Sequence, residues 1–167
     1  MKAAGFPLVD LKALLLDLTG RGDGEVEALG RAEYCRLYAS GGRGTVHCAD
    51  GAEVVFFEDR FDHAFFTTSD RYRRQDAKNV IARDRVERVA WIGPVLRGEV
   101  ANTQCWESSP AAGAEPRRNR LCIASGELYV IWLEPTRAGK WKFSTAYLAR
   151  GEQATDYKRG RRCVWKV

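Results

Sequence analysis

The amino-acid sequence predicts an α+β fold: N-terminal helices and a β-hairpin, then helices packed on an antiparallel meander sheet of about four strands. Apolar residues recur at three- and four-residue spacing over the first 40 residues and again at 77–91. From residue 119 the period switches to two. The alternating runs are joined by connections too short for a parallel crossover. The 167 residues fit one domain, large enough to bury a core with neither metal nor disulfides. The expected organisation is a helical extension with the start of the hairpin over 1–50, and a main domain with a basic C-terminal tail over 51–167.

Residues 7–19 read as a helix: Leu8, Leu11, Leu14, Leu15 and Leu18 form a stripe, and Gly20 and Gly22 end it. A second helix is expected over 24–39, with Val26, Leu29, Ala32 and Cys35 inward and Leu37 and Tyr38 as further inward candidates. Gly41, Gly42, Arg43 and Gly44 form a loop; no Lys-Ser/Thr follows, so it is no phosphate-binding loop. Residues 45–57 read as a hairpin around Asp50-Gly51, a strong turn pair. A short helix follows at 59–66. Another spans 77–91 on Val80, Ile81, Val86, Val89 and Ala90, and Gly93-Pro94 breaks it. TQCWE at 103–107 reads as a strand, and SSPAAGAEPRRN as a loop. RLCIAS, LYVIWLE and WKFSTAY read as the three meander strands, and the polar tail over 150–167 closes with CVWKV, a candidate last strand.

Charge is segregated. Residues 1–59 carry six Lys/Arg against ten Asp/Glu, net −4; residues 60–167 carry 21 against 12, net +9. That balance points to a polyanionic partner, nucleic acid first, with a basic solvated surface as the alternative. Membrane spans are excluded, because charges interrupt every long apolar stretch, and no signal peptide is expected. The five cysteines (Cys35, Cys48, Cys105, Cys122 and Cys163) show no CxxC spacing, which excludes a zinc knuckle and argues against a disulfide framework. Buried thiols and a reducing, cytoplasmic setting are expected. No metal or other cofactor is expected.

The histidines are His47 and His63. His63 lies in RFDHAFF beside Arg60, where the charge turns positive, and a histidine can do acid and base work near neutral pH. Lys142, Ser144, Thr145 and Tyr147 close the meander; an ammonium and hydroxyls at a strand end can hold a phosphate oxygen, and an exposed polar strand is the alternative. Arginines come in clusters: Arg71, Arg73 and Arg74 around Tyr72, Arg117, Arg118 and Arg120 before the meander, and Lys158, Arg159, Arg161, Arg162 and Lys166 in the tail. Arginine pairs with phosphate through two parallel hydrogen bonds, and aromatic residues among basic ones stack on unpaired bases.

Taken in order, RFDHAFF, RVERVAWIGPVLRGEV and RLCIASGELYVIWLEPTRAGKWKFSTAY resemble the phage- and prophage-encoded nuclease domains of the barnase–EndoU–colicin–RelE (BECR) class over residues 54–149. The matching parts are a helix histidine, a helix ending in a tryptophan-isoleucine phrase, a meander and a closing strand. The resemblance implies a metal-independent endoribonuclease of the toxin or phage-conflict type. Such an enzyme promotes attack of a 2′-hydroxyl on the adjacent phosphate, leaving a 2′,3′-cyclic phosphate. On this resemblance His63 is general base or acid, and Ser144 and Thr145 position the phosphate. Lys142 or Arg120 would stabilise charge, a choice made from chemistry, and Tyr147 has an active-site or a packing role. Arg60, Arg71, Arg73, Arg74 and Arg120 would bind substrate. The implied partners are RNA, with tRNA a candidate, and an immunity or antitoxin protein. No second histidine lies near the closing strand. The competing readings are a non-catalytic nucleic-acid-binding module and a protein-interaction component of a mobile element.

Overall fold

The computed structural model describes residues 7–68, 80–108 and 119–167. A 3-10 turn at Leu11–Leu14 leads to α1 (Asp23–Tyr38), and the hairpin follows as β1 (Arg43–His47) and β2 (Glu53–Phe57). Next come α2 (Arg60–Phe65), the short strands β3 (Phe66–Thr67) and β4 (Val80–Ile81), α3 (Arg83–Val86) and α4 (Ile92–Leu96). The second half is β5 (Thr103–Ser108), β6 (Arg120–Ala124), β7 (Tyr129–Pro135), β8 (Trp141–Leu148), α5 (Gly151–Lys158) and β9 (Arg161–Lys166).

The sheet corrects the expected fold. It has seven strands in the order β1-β2-β8-β7-β6-β5-β9, and it is mixed, because β2 and β8 run parallel while the other neighbours are antiparallel. The meander is real but is only the middle of the sheet. The hairpin joins one side of it and β9 the other. Val54, Val55 and Phe56 are all buried, so β2 has both faces covered and a neighbour on each side. Alternation within a segment reports a strand; it does not report which distant edge the strand joins.

Two layers of side chains cover the sheet. On one face α1 to α4 pack over Phe56, Cys122, Ile131, Leu133 and Phe143. Helix α1 meets this core along Val26, Gly30, Tyr34 and Tyr38, a strict four-residue ridge. Leu29 and Cys35 are only half-buried, and Ala32 and Leu37 are exposed. The Tyr38 hydroxyl donates to the Val89 carbonyl at 2.7 Å and accepts from the Gly93 N–H at 3.0 Å, tying α1 to α4 inside the core. On the other face α5 caps a smaller cluster of Leu121, Ile123, Val130 and Ala149.

Three elements differ from expectation. The 7–19 helix reduces to the 3-10 turn, because the Val9 N–H bonds the Glu99 carbonyl and the Leu16 N–H bonds the Glu87 carbonyl, holding the segment as a strap. Of the helix expected over 77–91, residues 77–79 lie outside the described residues and the rest forms β4, α3 and a 3-10 turn, while α4 runs through Gly93-Pro94. Pro94 sits in the first turn of α4, where an N–H has no partner within the helix. Helix α5 falls inside the polar tail, where no helix is expected, and the candidate last strand is β9; the Gln153 side chain caps α5 by accepting from the Arg150 N–H at 3.0 Å.

Candidate nucleic-acid interface

Strand register builds the site on the α5 face. Trp106 of β5, Leu121 of β6, Trp132 of β7 and Thr145 of β8 stand opposite one another in a row across the sheet. Tyr147 lies two residues beyond Thr145 on the same face. Trp106, Trp132, Tyr147 and the α5 residue Tyr157 are half-buried around the apolar cluster. Trp132 Nε1 donates to the Tyr147 hydroxyl at 3.1 Å, and the two tyrosine hydroxyls share a 3.0 Å hydrogen bond. Burial, then that bond, pushes the Tyr157 hydroxyl up to about 12. Cations ring these aromatics. Arg161 lies 5.1 Å from the Trp132 ring centroid, Lys158 5.7 Å from Trp106 and Arg85 5.1 Å from Tyr147. Arg159, Arg162 and Lys166 stand exposed along the same end of the molecule.

The predicted residues divide. Arg60, Lys142 and Ser144 meet at the start of α2. A register shift between Trp132 and Leu133 leaves Ser144 with no residue opposite it. Arg60 donates to the Ser144 hydroxyl at 2.9 Å, to the Ser144 carbonyl at 3.1 Å and to Glu134 at 3.2 Å. The Ser144 hydroxyl in turn donates to Glu134 at 3.1 Å, and Lys142 lies 3.4 Å from the same carboxylate. Glu134, which the sequence reading did not single out, is thus the centre of this group. Desolvation raises its pKa, but Arg60, Ser144 and Lys142 outweigh that and hold it below the ordinary carboxylate value. His63 is exposed on α2, three residues after Arg60.

Thr145 and Tyr147 belong to the aromatic row instead. The Thr145 Oγ1 is buried with no hydrogen-bond partner among the described residues, and the Tyr147 hydroxyl is engaged by Trp132 and Tyr157. Arg120 is 4% exposed and holds Asp50 through two bonds of 3.1 and 3.0 Å and Glu107 at 2.6 Å. Burial lowers its pKa, and the two acids more than reverse that. Its guanidinium is inside the protein, bridging the hairpin loop to β5. Arg71, Arg73 and Arg74 lie outside the described residues. His47 is exposed, 3.5 Å from Glu53.

Among the described residues, no group of three or more His, Cys, Asp and Glu is placed to hold a metal ion, and no helix is long and apolar enough to cross a membrane. A shallow hollow of about 410 Å³, lined by Arg31, Gly42, Phe57, Glu58 and Asp59, contains none of the predicted site residues. Comparison of the chain with protein-family models, with curated proteins and with solved structures gives no match. The resemblance to the BECR nucleases therefore rests on the sequence motifs alone.

Proposed function

We propose that the chain binds single-stranded nucleic acid, RNA first, on the α5 face of its sheet. The observation that carries this reading is the placing of Lys158 over half-buried Trp106 and of Arg161 over half-buried Trp132, with Arg159 and Lys166 exposed at the same end. Exposed cations attract the phosphate backbone, and indole rings offer stacking surface to unpaired bases of any sequence. The pairing of Arg161 and Lys158 with indole faces keeps those cations beside the surface a base would use.

The test is titration of a fluorescent single-stranded RNA. Trp106→Ala is expected to weaken binding by about 1–3 kcal/mol, the range for loss of one base–aromatic stack. Unchanged affinity in Trp106→Ala and in Lys158→Ala would remove this face from the account.

A second reading, a metal-independent endoribonuclease, is favoured by one observation: the start of α2 carries Arg60 onto Ser144 and bears His63 less than one turn away. In that reading His63 exchanges the 2′-hydroxyl or leaving-group proton, and Arg60 and Lys142 offset charge on the phosphate. Incubation of total tRNA and rRNA with the protein in EDTA separates the two readings. Discrete cuts ending in 2′,3′-cyclic phosphate, lost in His63→Ala, support catalysis. Intact RNA with wild-type protein leaves binding as the function.

A further inference from the structure

Arg161 is a half-buried cation whose partners are all neutral. Its Nε and Nη2 both donate to the Asn119 side-chain oxygen at 3.2 Å, its Nη1 donates to the Tyr157 carbonyl, and its guanidinium lies 5.1 Å from the Trp132 ring centroid. Those partners stand just before β6, on α5 and on β7, so three parts of the fold fix the head group in place. Other partly buried arginines carry acids: Arg120 holds Asp50 and Glu107, Arg60 holds Glu134, and Arg31 holds Asp62 and Glu27. At Arg120 and Arg31 burial lowers the pKa and the acids more than reverse it. At Arg161 burial lowers it and nothing reverses it. A charge drawn out of water without a counter-charge is unfavourable, and an anion from outside restores the balance.

A count of donors gives the chemistry of that anion. A guanidinium has five N–H donors; Asn119 and Tyr157 take three from Arg161, which leaves two. Against the same indole, Trp132 Nε1–H and the Tyr147 and Tyr157 hydroxyls bring three hydrogens to two bonds, so one O–H is left over. Lys158 and Arg85, the other cations set against these rings, also make no ion pair among the described residues. The surroundings of Trp132 thus hold unspent donors and uncompensated positive charge. A phosphate group, with several acceptor oxygens and a geometry that matches the guanidinium fork, answers both. We propose that Arg161, with the tyrosyl hydroxyl left over beside Trp132, is a fixed seat for one phosphate group. For the source of that group the inference rests on the nucleic-acid reading above: the phosphate is an internal diester or a terminal monoester of the bound strand. The exposed cations attract the strand along its length, whereas a fixed seat sets its position on the sheet.

The experiment titrates the full chain against inorganic phosphate by phosphorus NMR, with sodium chloride holding the ionic strength constant. Wild type is expected to broaden the phosphate line saturably. Arg161→Gln and Arg161→Lys, which lose the fork, are expected to weaken that binding about ten-fold or more, the loss of charge-assisted hydrogen bonds. Arg137→Gln, at an exposed arginine in the turn between β7 and β8, leaves it unchanged. No saturable broadening by wild type, or wild-type affinity in both Arg161 variants, would overturn the proposal. A second measurement needs no variant: displacement of a fluorescent single-stranded RNA from wild type by phosphate and by chloride at equal ionic strength. Displacement by phosphate at a several-fold lower ionic strength supports the seat. Equal displacement overturns the seat and leaves RNA binding standing, while saturable phosphate binding without RNA binding keeps the seat and refutes the nucleic-acid reading. Strands with and without a phosphate at either end separate the sources: tighter binding of a phosphorylated strand marks the terminal monoester, and equal binding marks the internal diester.

Discussion

Removing the Arg120 side chain would leave Asp50 and Glu107, the latter with a side chain 7% exposed, facing a site that has lost its central cation. A buried pair broken on one side costs about 3–5 kcal/mol, so Arg120→Met is expected to lower unfolding stability by roughly that amount. Arg162 touches the same Glu107 but its side chain is 71% exposed, so Arg162→Ala is expected to cost less than about 1 kcal/mol. Urea denaturation of both variants checks the contrast, and equal losses would contradict it. Glu134 makes a pH prediction. Its folded pKa lies below the ordinary value of 4.5, so its contribution to stability is complete above that pH and fades as pH falls through the lowered value. The urea midpoint is expected to drop with acidification below about pH 4.5, and less steeply in Glu134→Gln; equal slopes would dissociate Glu134 from the acid response. At this scale the residue types were legible and the partners were not. Arg60, Lys142 and Ser144 were picked out by chemistry, but Glu134 reads as one more strand-end acid. Arg120 looked like a phosphate ligand because the acids that hold it are 13 and 70 residues away in sequence.

The close approach of α1's end to β1 sets an element-scale constraint. A Cβ at Gly44 would lie 1.9 Å from the Tyr38 carbonyl oxygen and 2.8 Å from its carbon, both backbone atoms. Gly44→Ala is expected to destabilise by roughly 1–3 kcal/mol or more, as overpacked sites do; an unchanged denaturation midpoint would show that the α1–β1 junction yields freely. Most elements were legible because period reports burial: α1, the hairpin, α2, β5 and the meander strands all stand close to where their spacing puts them. The leucines of 7–19 have helical spacing, yet Leu8 and Leu15 are exposed while Leu11 and Leu18 are buried, and hydrogen bonds to distant carbonyls decide the segment's path. Helix α5 was missed because its eight residues bury only Ala154 fully and so leave little apolar stripe to read.

For the whole molecule, strand order converts a sequence asymmetry into a spatial one. The acidic first third supplies β1 and β2 at one end of the sheet, and the basic tail supplies β9 at the other. The edge position of β9, with Arg161, Arg162 and Lys166 along it, also guards against strand addition from another chain. The alternating segments showed the number of central strands but neither flank, since pairing between β2 and β8 joins residues about 87 apart, as in Val54 with Trp141. The most direct test of the account is the salt dependence of single-stranded RNA binding by wild type and by the triple variant Arg159→Gln, Arg162→Gln, Lys166→Gln. With Lys158 and these three each neutralising one phosphate, log affinity against log salt is expected to fall with a slope of about −3, and the variant should flatten it by about 2. A wild type that does not bind at low salt, or a variant with the wild-type slope, would contradict the assignment of this end of the sheet to nucleic acid.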